Sequence, residues 1–313
     1  MRVHAAYPGE LVTVEGTTAR RTPLDGAECV AADGDRVLVG TGAGVRRSGD
    51  GGRSFGPAGG PESVTALAVG PDGTAWLGTE PSAVYRSTDR GATWTERPGL
   101  TDLPSADEWS FPPRPGTHHV RWIEPDPAAP SRLYVAVEAG ALVRTPDGGG
   151  TWIDRTPDGP RDTHGMATHP DAPGRAWAAA GDGFFVTADG GDSWIARGAG
   201  LDGTYCWSVA VDPGDPGRLL LSAARGPRSA HDRPAESYVY RHAGGEWERI
   251  DAGGLPAGRG VTRPVLAAAG PGTAVAASNE GIVRTDDWGR SWERVADAPS
   301  GATTCRGLAA TGG

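Results

Sequence analysis

An eight-residue pattern recurs five times along the chain, and its spacing leaves few folds open. The copies lie at 48–55 (SGDGGRSF), 87–94 (STDRGATW), 145–152 (TPDGGGTW), 187–194 (TADGGDSW) and 285–292 (TDDWGRSW). Each holds a hydroxyl, an Asp, a Gly and an aromatic at fixed offsets. A sixth, eroded copy at 241–247 keeps only its glycines and Trp247. Every copy follows a short apolar run such as AVYR or GIVR and precedes a short polar one such as TERP or ERVA. The pattern reads as a hairpin turn with a lock on it. The Asp carboxylate folds back onto nearby backbone N–H groups, Gly supplies the positive φ of the reversal, and the aromatic covers the turn. Asp50, Asp89, Asp147, Asp189 and Asp287 are therefore expected to be structural, not catalytic acids or a calcium site.

These aspartates stand 39, 58, 42 and 98 residues apart, the last step containing the eroded copy. A period of about 40 to 50 residues is that of a four-stranded propeller blade. Fifty glycines and 27 prolines in 313 residues are too many for a helix-rich chain, and no stretch keeps apolar residues at i, i+3, i+4 and i+7. The fold expected is all-β, a single β-propeller domain over residues 1–313. Blade two shows four strands, at 63–69, 74–79, 83–87 and 93–97, counted outwards from the axis. Blades one, three, four, five and six begin at ECVAA, HHVRWIE, THGMATH, CWSVAVD and RPVLAAA. A C-terminal run (TTCRGLAAT) and three N-terminal runs (RVHAAY, ELVTVEG, TARRTP) remain. Joined, they make a seventh blade closed by both ends of the chain, which removes free sheet edges. Six blades is the alternative if the N-terminal strands pair differently.

Connections in a four-stranded blade alternate between faces. The repeated turns share a face with the first-to-second turns, and the other connections lie opposite. Two long insertions, 98–117 and 226–236, fall on that opposite face, where long loops tend to carry function. First strands start there and second strands end there. The residues expected to converge are Trp109, His119, Arg121, Glu138, His164, Tyr205, Trp207, Arg225 and His231, with Arg263 beside them. A concave site lined by such groups is the default place for a ligand. His118 and His119 are adjacent in a strand, so only one of them can face the channel. If the mouth is catalytic, Glu138 with Glu236 or Asp182 would serve as acid and base. If it holds a metal, His119, His164 and His231 are the ligands to consider with Glu138.

Net charge −9 and a pI near 5.3 argue against DNA or RNA as partners. All 30 basic residues are Arg. Cys29, Cys206 and Cys305 are scattered and odd in number, which implies neither a disulfide framework nor a CxxC metal site. No apolar run suits a signal peptide or a membrane span, so a cytoplasmic setting and no membrane partner are expected. There is no GxSxG, P-loop or GxGxxG context, and no cofactor is expected.

The pattern S/T-x-D-x-G-x-S/T-W/F resembles the Asp-box, or BNR, repeat, and the chain is similar to Asp-box β-propellers over nearly its whole length. That group includes sialidases, xyloglucan-cleaving hydrolases, sortilin-type receptor domains, a photosystem II assembly factor and uncharacterised prokaryotic propellers often labelled glycosyl hydrolase. Sialidases carry an Arg-Ile-Pro motif before their first box, which this chain lacks. Xyloglucan hydrolases pair two propellers around a cleft, and this chain has material for one. The resemblance therefore implies the fold more than a reaction. The function expected is a noncatalytic propeller that binds a small molecule, glycan or protein at its mouth. A glycoside hydrolase or lyase is the alternative, and a His/Glu metal-dependent enzyme the next.

Overall fold

A computed structural model of the chain describes residues 1–242, 245–251 and 253–312. Ala243 and Gly244 of the eroded copy lie outside the described residues. Seven antiparallel sheets form a closed ring. Their innermost strands are Cys29–Asp33, Val64–Val69, Val120–Pro125, Thr163–Thr168, Tyr205–Asp212, Val265–Gly270 and Gly307–Thr311. Each packs beside the next, and the last returns to the first.

The seventh blade closes as expected from the sequence, so the six-bladed alternative is excluded. Gly307–Thr311 pairs with Arg2–Tyr7, setting Val3 opposite Ala310, and Gly9–Glu15 and Thr18–Leu24 follow outwards. The Arg306 N–H donates to the Ala6 carbonyl at 2.8 Å. Cys305 and Leu308 join the core cluster that holds Val3, Ala5 and Tyr7. Blades one and three have three strands among the described residues. Their outer edges shrink to single bridges, Val45–Gly59 and Arg144–Ile153. The segments that follow, GPAGGP and RTPDGP, are rich in Gly and Pro, which weaken or interrupt a ladder.

The repeated turns are locked by their aspartates. At 87–94, Asp89 Oδ1 accepts from Ser87 Oγ (2.8 Å) and from the backbone N–H groups of Ala92 (3.0 Å) and Thr93 (2.9 Å). Its Oδ2 accepts from Thr93 Oγ1 at 2.6 Å, and the Gly91 N–H reaches Ser87 Oγ at 2.8 Å. The same lock recurs at Asp50, Asp147, Asp189 and Asp287. Four turns also bond to the first-to-second turn of their own blade: Gly51 to Asp35, Gly148 to Ser131, Gly190 to Gly174 and Trp288 to Gly272. Both kinds of turn therefore share one face.

These locks hold the carboxyls below the usual carboxylate range. The chief cause is the Ser48 hydroxyl at Asp50, Thr93 at Asp89, Ser193 at Asp189 and the Thr151 backbone N–H at Asp147. At Asp287 burial pushes the other way, yet the bonds from Ser291 and Thr285 still bring it to about 2. A folded pKa below the unfolded value of about 3.9 stabilises the fold above that pH, and the contribution is lost as pH falls toward the folded pKa. The expected result is a melting temperature that drops between about pH 4 and pH 2, less steeply in Asp89→Asn. A flat profile across that interval in thermal melts would contradict it.

Aromatics from one blade fasten it to its predecessor. Trp194 meets Tyr134 edge-on at 6.3 Å, and Trp247 meets Phe184 at 5.0 Å. In blade six, Trp288 takes the position that is Gly51, Arg90, Gly148 or Gly190 in the other turns. It keeps their positive φ, at 52°, and is fully buried in a cluster with Leu220, Val239 and Leu266.

Candidate functional site

The face opposite the repeated turns carries a cavity of about 1280 Å³ at the axis. Both insertions border it. The first is tied down through two short 3-10 turns, Leu100–Asp102 and Ala106–Glu108. Ser105 donates to Asp154 through both its hydroxyl (2.5 Å) and its N–H (2.9 Å). The tip at 111–114 then hangs over the mouth, where Arg114 clasps Glu80 through two bonds of 3.0 and 2.6 Å. Phe111 stands edge-on to His119 at 4.8 Å. The second insertion forms the helix Pro227–His231, which delivers His231 to the rim.

A local irregularity aims three of the site side chains. The first strands of blades two to five each slip register near their start, leaving Thr65, Arg121, His164 and Trp207 as unpaired extra residues. Such bulges turn a side chain out of the ordinary alternation. Three of the four, Thr65, Arg121 and Trp207, line the cavity, and His164 packs directly behind Trp207 with ring centroids 4.5 Å apart.

Glu138 directly follows the second strand of blade three (Leu133–Val137) and is buried. His119 Nε2 lies 2.8 Å from its Oε2, Arg121 Nε 3.6 Å from the same oxygen, and His164 Nε2 3.9 Å from Oε1. Burial alone would push this carboxyl up. The His119 hydrogen bond and the charge of Arg121 outweigh burial and hold it at about 2. Asp162, just before the first strand of blade four, accepts from the Ala139 N–H at 3.0 Å and sets its Oδ2 3.5 Å from His164 Nε2.

Across the mouth the Trp207 indole meets two guanidinium groups, with Arg263 Cζ 4.4 Å and Arg121 Cζ 4.9 Å from the ring centroid. Arg263 sits at φ 34° and is half-buried; desolvation and the neighbouring Arg121 charge lower it to about 10. Among the described residues no carboxylate pairs with it, and it donates instead to His231. Burial, then the Arg263 charge, lower His231 to about 4, so the ring is neutral. Arg263 must donate to it, because a guanidinium has no acceptor. The other ring nitrogen lies 2.8 Å from the Tyr205 hydroxyl.

Of the residues expected at the mouth, His119, Arg121, Glu138, Tyr205, Trp207, His231 and Arg263 line the cavity. Trp109 does not. It is buried, donates to Ser105 Oγ at 3.0 Å and packs over Gly140, where a Cβ would stand 3.0 Å from the indole. His118 lies against Trp109 and His119 faces the mouth, as strand alternation requires. Asp182, Arg225 and Glu236 also lie outside the lining. Asp182 caps the Arg161 N–H, Glu236 accepts from Tyr238, and Arg225 is exposed. Neither Glu138 with Asp182 nor Glu138 with Glu236 forms a pair in the mouth. The three histidines do not meet at one point either: His119 and His164 reach Glu138, while Tyr205 and Arg263 hold His231. Sequence reasoning missed Asp162, although its place in a blade-to-blade connection on this face was a usable signal.

No protein-family model matches the chain, and no curated protein matches it. Solved structures do resemble it. The GH74 xyloglucanase from Xanthomonas campestris is similar at a TM-score of 0.67 and 20% identity, over 95% of this chain and 54% of that one. The GH74 enzyme from Niastella koreensis is similar at 0.67 and 18%, over 94% and 55%. The chain thus spans about half the length of these enzymes. YCF48 from Cyanidioschyzon merolae is similar at 0.58 and 17%, over 90% and 88%. A structure of YCF48 bound to D1 peptide is similar at 0.56 and 16%, over 86% and 82%. At these identities the likeness is one of fold: the chain is a seven-bladed β-propeller, with GH74 enzymes and YCF48 among its structural neighbours.

Proposed function

We propose that the protein is a noncatalytic recognition propeller that takes an acidic peptide segment of a partner protein into its mouth. The observation that carries the reading is Arg263, a half-buried guanidinium laid against Trp207 with no carboxylate partner among the described residues. A ligand carboxylate would supply the missing partner, and the Trp207 and Tyr205 rings would bury the apolar part of the segment. The peptide-bound YCF48 neighbour supports a peptide as ligand. The five locked turns support placing the chain among Asp-box propellers. Three buried free thiols, Cys29, Cys206 and Cys305, suit a reducing cytoplasmic setting.

A glycosidase reading has one observation in its favour: oxygens of Glu138 and Asp162 lie within 4.8 Å of each other, compatible with the roughly 5 Å spacing of a retaining pair. Against it, Glu138 is held at about 2 and has no proton to give at neutral pH, where a glycosidase acid needs a raised pKa.

Binding of acidic and neutral peptide pools, read by Trp fluorescence at two salt concentrations, tests the proposal. Acidic peptides should bind preferentially, and Arg263→Gln should weaken them about 10- to 100-fold, the value of one charge-assisted contact. Equal binding by the variant would overturn the reading. So would turnover of a glycoside panel that disappears in Glu138→Gln.

A further inference from the structure

We infer that Glu138, Asp162 and His164 form a site for one divalent transition-metal ion, Zn²⁺ or Mn²⁺, at the floor of the mouth. The argument begins with the tautomer of His164. Its Nδ1 lies 2.7 Å from the Cys206 carbonyl oxygen, and a carbonyl can only accept, so Nδ1 carries a proton. In the neutral ring, Nε2 then presents a lone pair. That atom is buried, has no hydrogen-bond partner among the described residues, and belongs to a residue 1% exposed. It points between two carboxylates, 3.5 Å from Asp162 Oδ2 and 3.9 Å from Glu138 Oε1. A nitrogen facing two anions calls for a positive charge beside it, and where a proton on Nε2 would serve the ring alone, a metal ion would take the lone pair and bind both carboxylates as well.

The spacing suits an ion. The three ligand atoms lie within 4.8 Å of one another. Tetrahedral ligands ~2.1 Å from zinc stand about 3.4 Å apart, so the His164–Asp162 distance already fits, and Glu138, 3.9 Å from Nε2, would draw in toward the ion. One imidazole with two carboxylates is a donor set for Zn²⁺ or Mn²⁺.

The surrounding groups orient each donor, as outer groups do at metal centres. The Cys206 carbonyl fixes the His164 ring. His119 holds the second oxygen of Glu138, and the Ala139 N–H holds the second oxygen of Asp162. Position 181 is Gly, and a Cβ there would stand 2.1 Å from Asp162 Oδ2. Gly181 and Asp162 both line the cavity, so a bound ion would keep a face open to a ligand oxygen. The inference stands on these three side chains and does not rest on peptide binding.

The test starts from full-length protein stripped with chelator and titrated with Zn²⁺ and Mn²⁺ by calorimetry. Co²⁺ would report the ligand field by its visible absorption. One ion per chain is expected, with a melting temperature that rises and saturates. Asp162→Asn and His164→Gln should each weaken binding by more than the 10- to 100-fold that loss of an outer partner costs, and His119→Gln by about that range. Asp162 is half-exposed, so Asp162→Asn should fold like wild type without metal, as far-UV circular dichroism would show. No stoichiometric binding by wild type would overturn the inference. Undiminished binding by folded Asp162→Asn and His164→Gln would overturn it as well, by placing the ion elsewhere.

Discussion

Trp288→Ala is expected to lower the unfolding free energy by about 3–5 kcal/mol, the usual cost of deleting a large buried aromatic. Trp288 is fully buried, and the Arg218 guanidinium lies 5.8 Å from its ring. The site cannot collapse easily, because it lies between two sheets whose strands are fixed by their own ladders. The backbone adds a second, sharper expectation. At φ 52° a side chain is strained, and the equivalent residue in three of the other four turns is Gly. Trp288→Gly removes the same ring but also relieves that strain, so it should be more stable than Trp288→Ala by about 1 kcal/mol. Denaturant unfolding of the three proteins decides the matter. An Ala variant as stable as the Gly variant would show that the positive φ carries no strain, and a loss below about 1 kcal/mol for both would show that the ring does not bind blade five to blade six.

Ending the chain at residue 302 should abolish cooperative unfolding. The deletion removes a five-residue ladder against Arg2–Tyr7, worth about 1 kcal/mol per net hydrogen bond. It also removes the buried Leu308 and Cys305, the first alone worth about 1.5–3 kcal/mol. Together these approach the roughly 5–15 kcal/mol by which domains are stable at all. The innermost edge of blade seven would then be open to pair with another chain. Size-exclusion chromatography is expected to show oligomers, and a synthetic peptide of residues 300–312 should restore part of the monomer. A monomeric truncated protein with one sharp melt would mean that the ring does not depend on its closing strand.

The fold was legible in the sequence because each repeated turn fixes its flanking strands by local chemistry. Asp89 needs only residues 87–93 to complete its bonds. Closure was legible by subtraction, since the N-terminal runs and TTCRGLAAT had no other sheet to join. The site was legible as a face, for strand alternation places its connections without any knowledge of packing. It was less legible as a set of side chains. The bulges that leave Arg121, His164 and Trp207 unpaired depend on how neighbouring first strands crowd the axis, and no residue pattern announces them. Trp109 resembled a mouth aromatic, but the bare surface of Gly140 gave its ring a dry seat in the core, while Phe111, two residues on, took the rim. Asp182 follows Gly181, and it is the glycine that faces the cavity.

The antiparallel contact of Val3 with Ala310 has a kinetic meaning as well. It joins segments some three hundred positions apart, so most of the polymer must be ordered before that contact can repay its loop entropy. During synthesis the opening strands would wait, unpaired on one side, until residues 307–311 emerged from the ribosome. Closure of the ring is therefore expected to be a single docking event that follows the making of the other six blades.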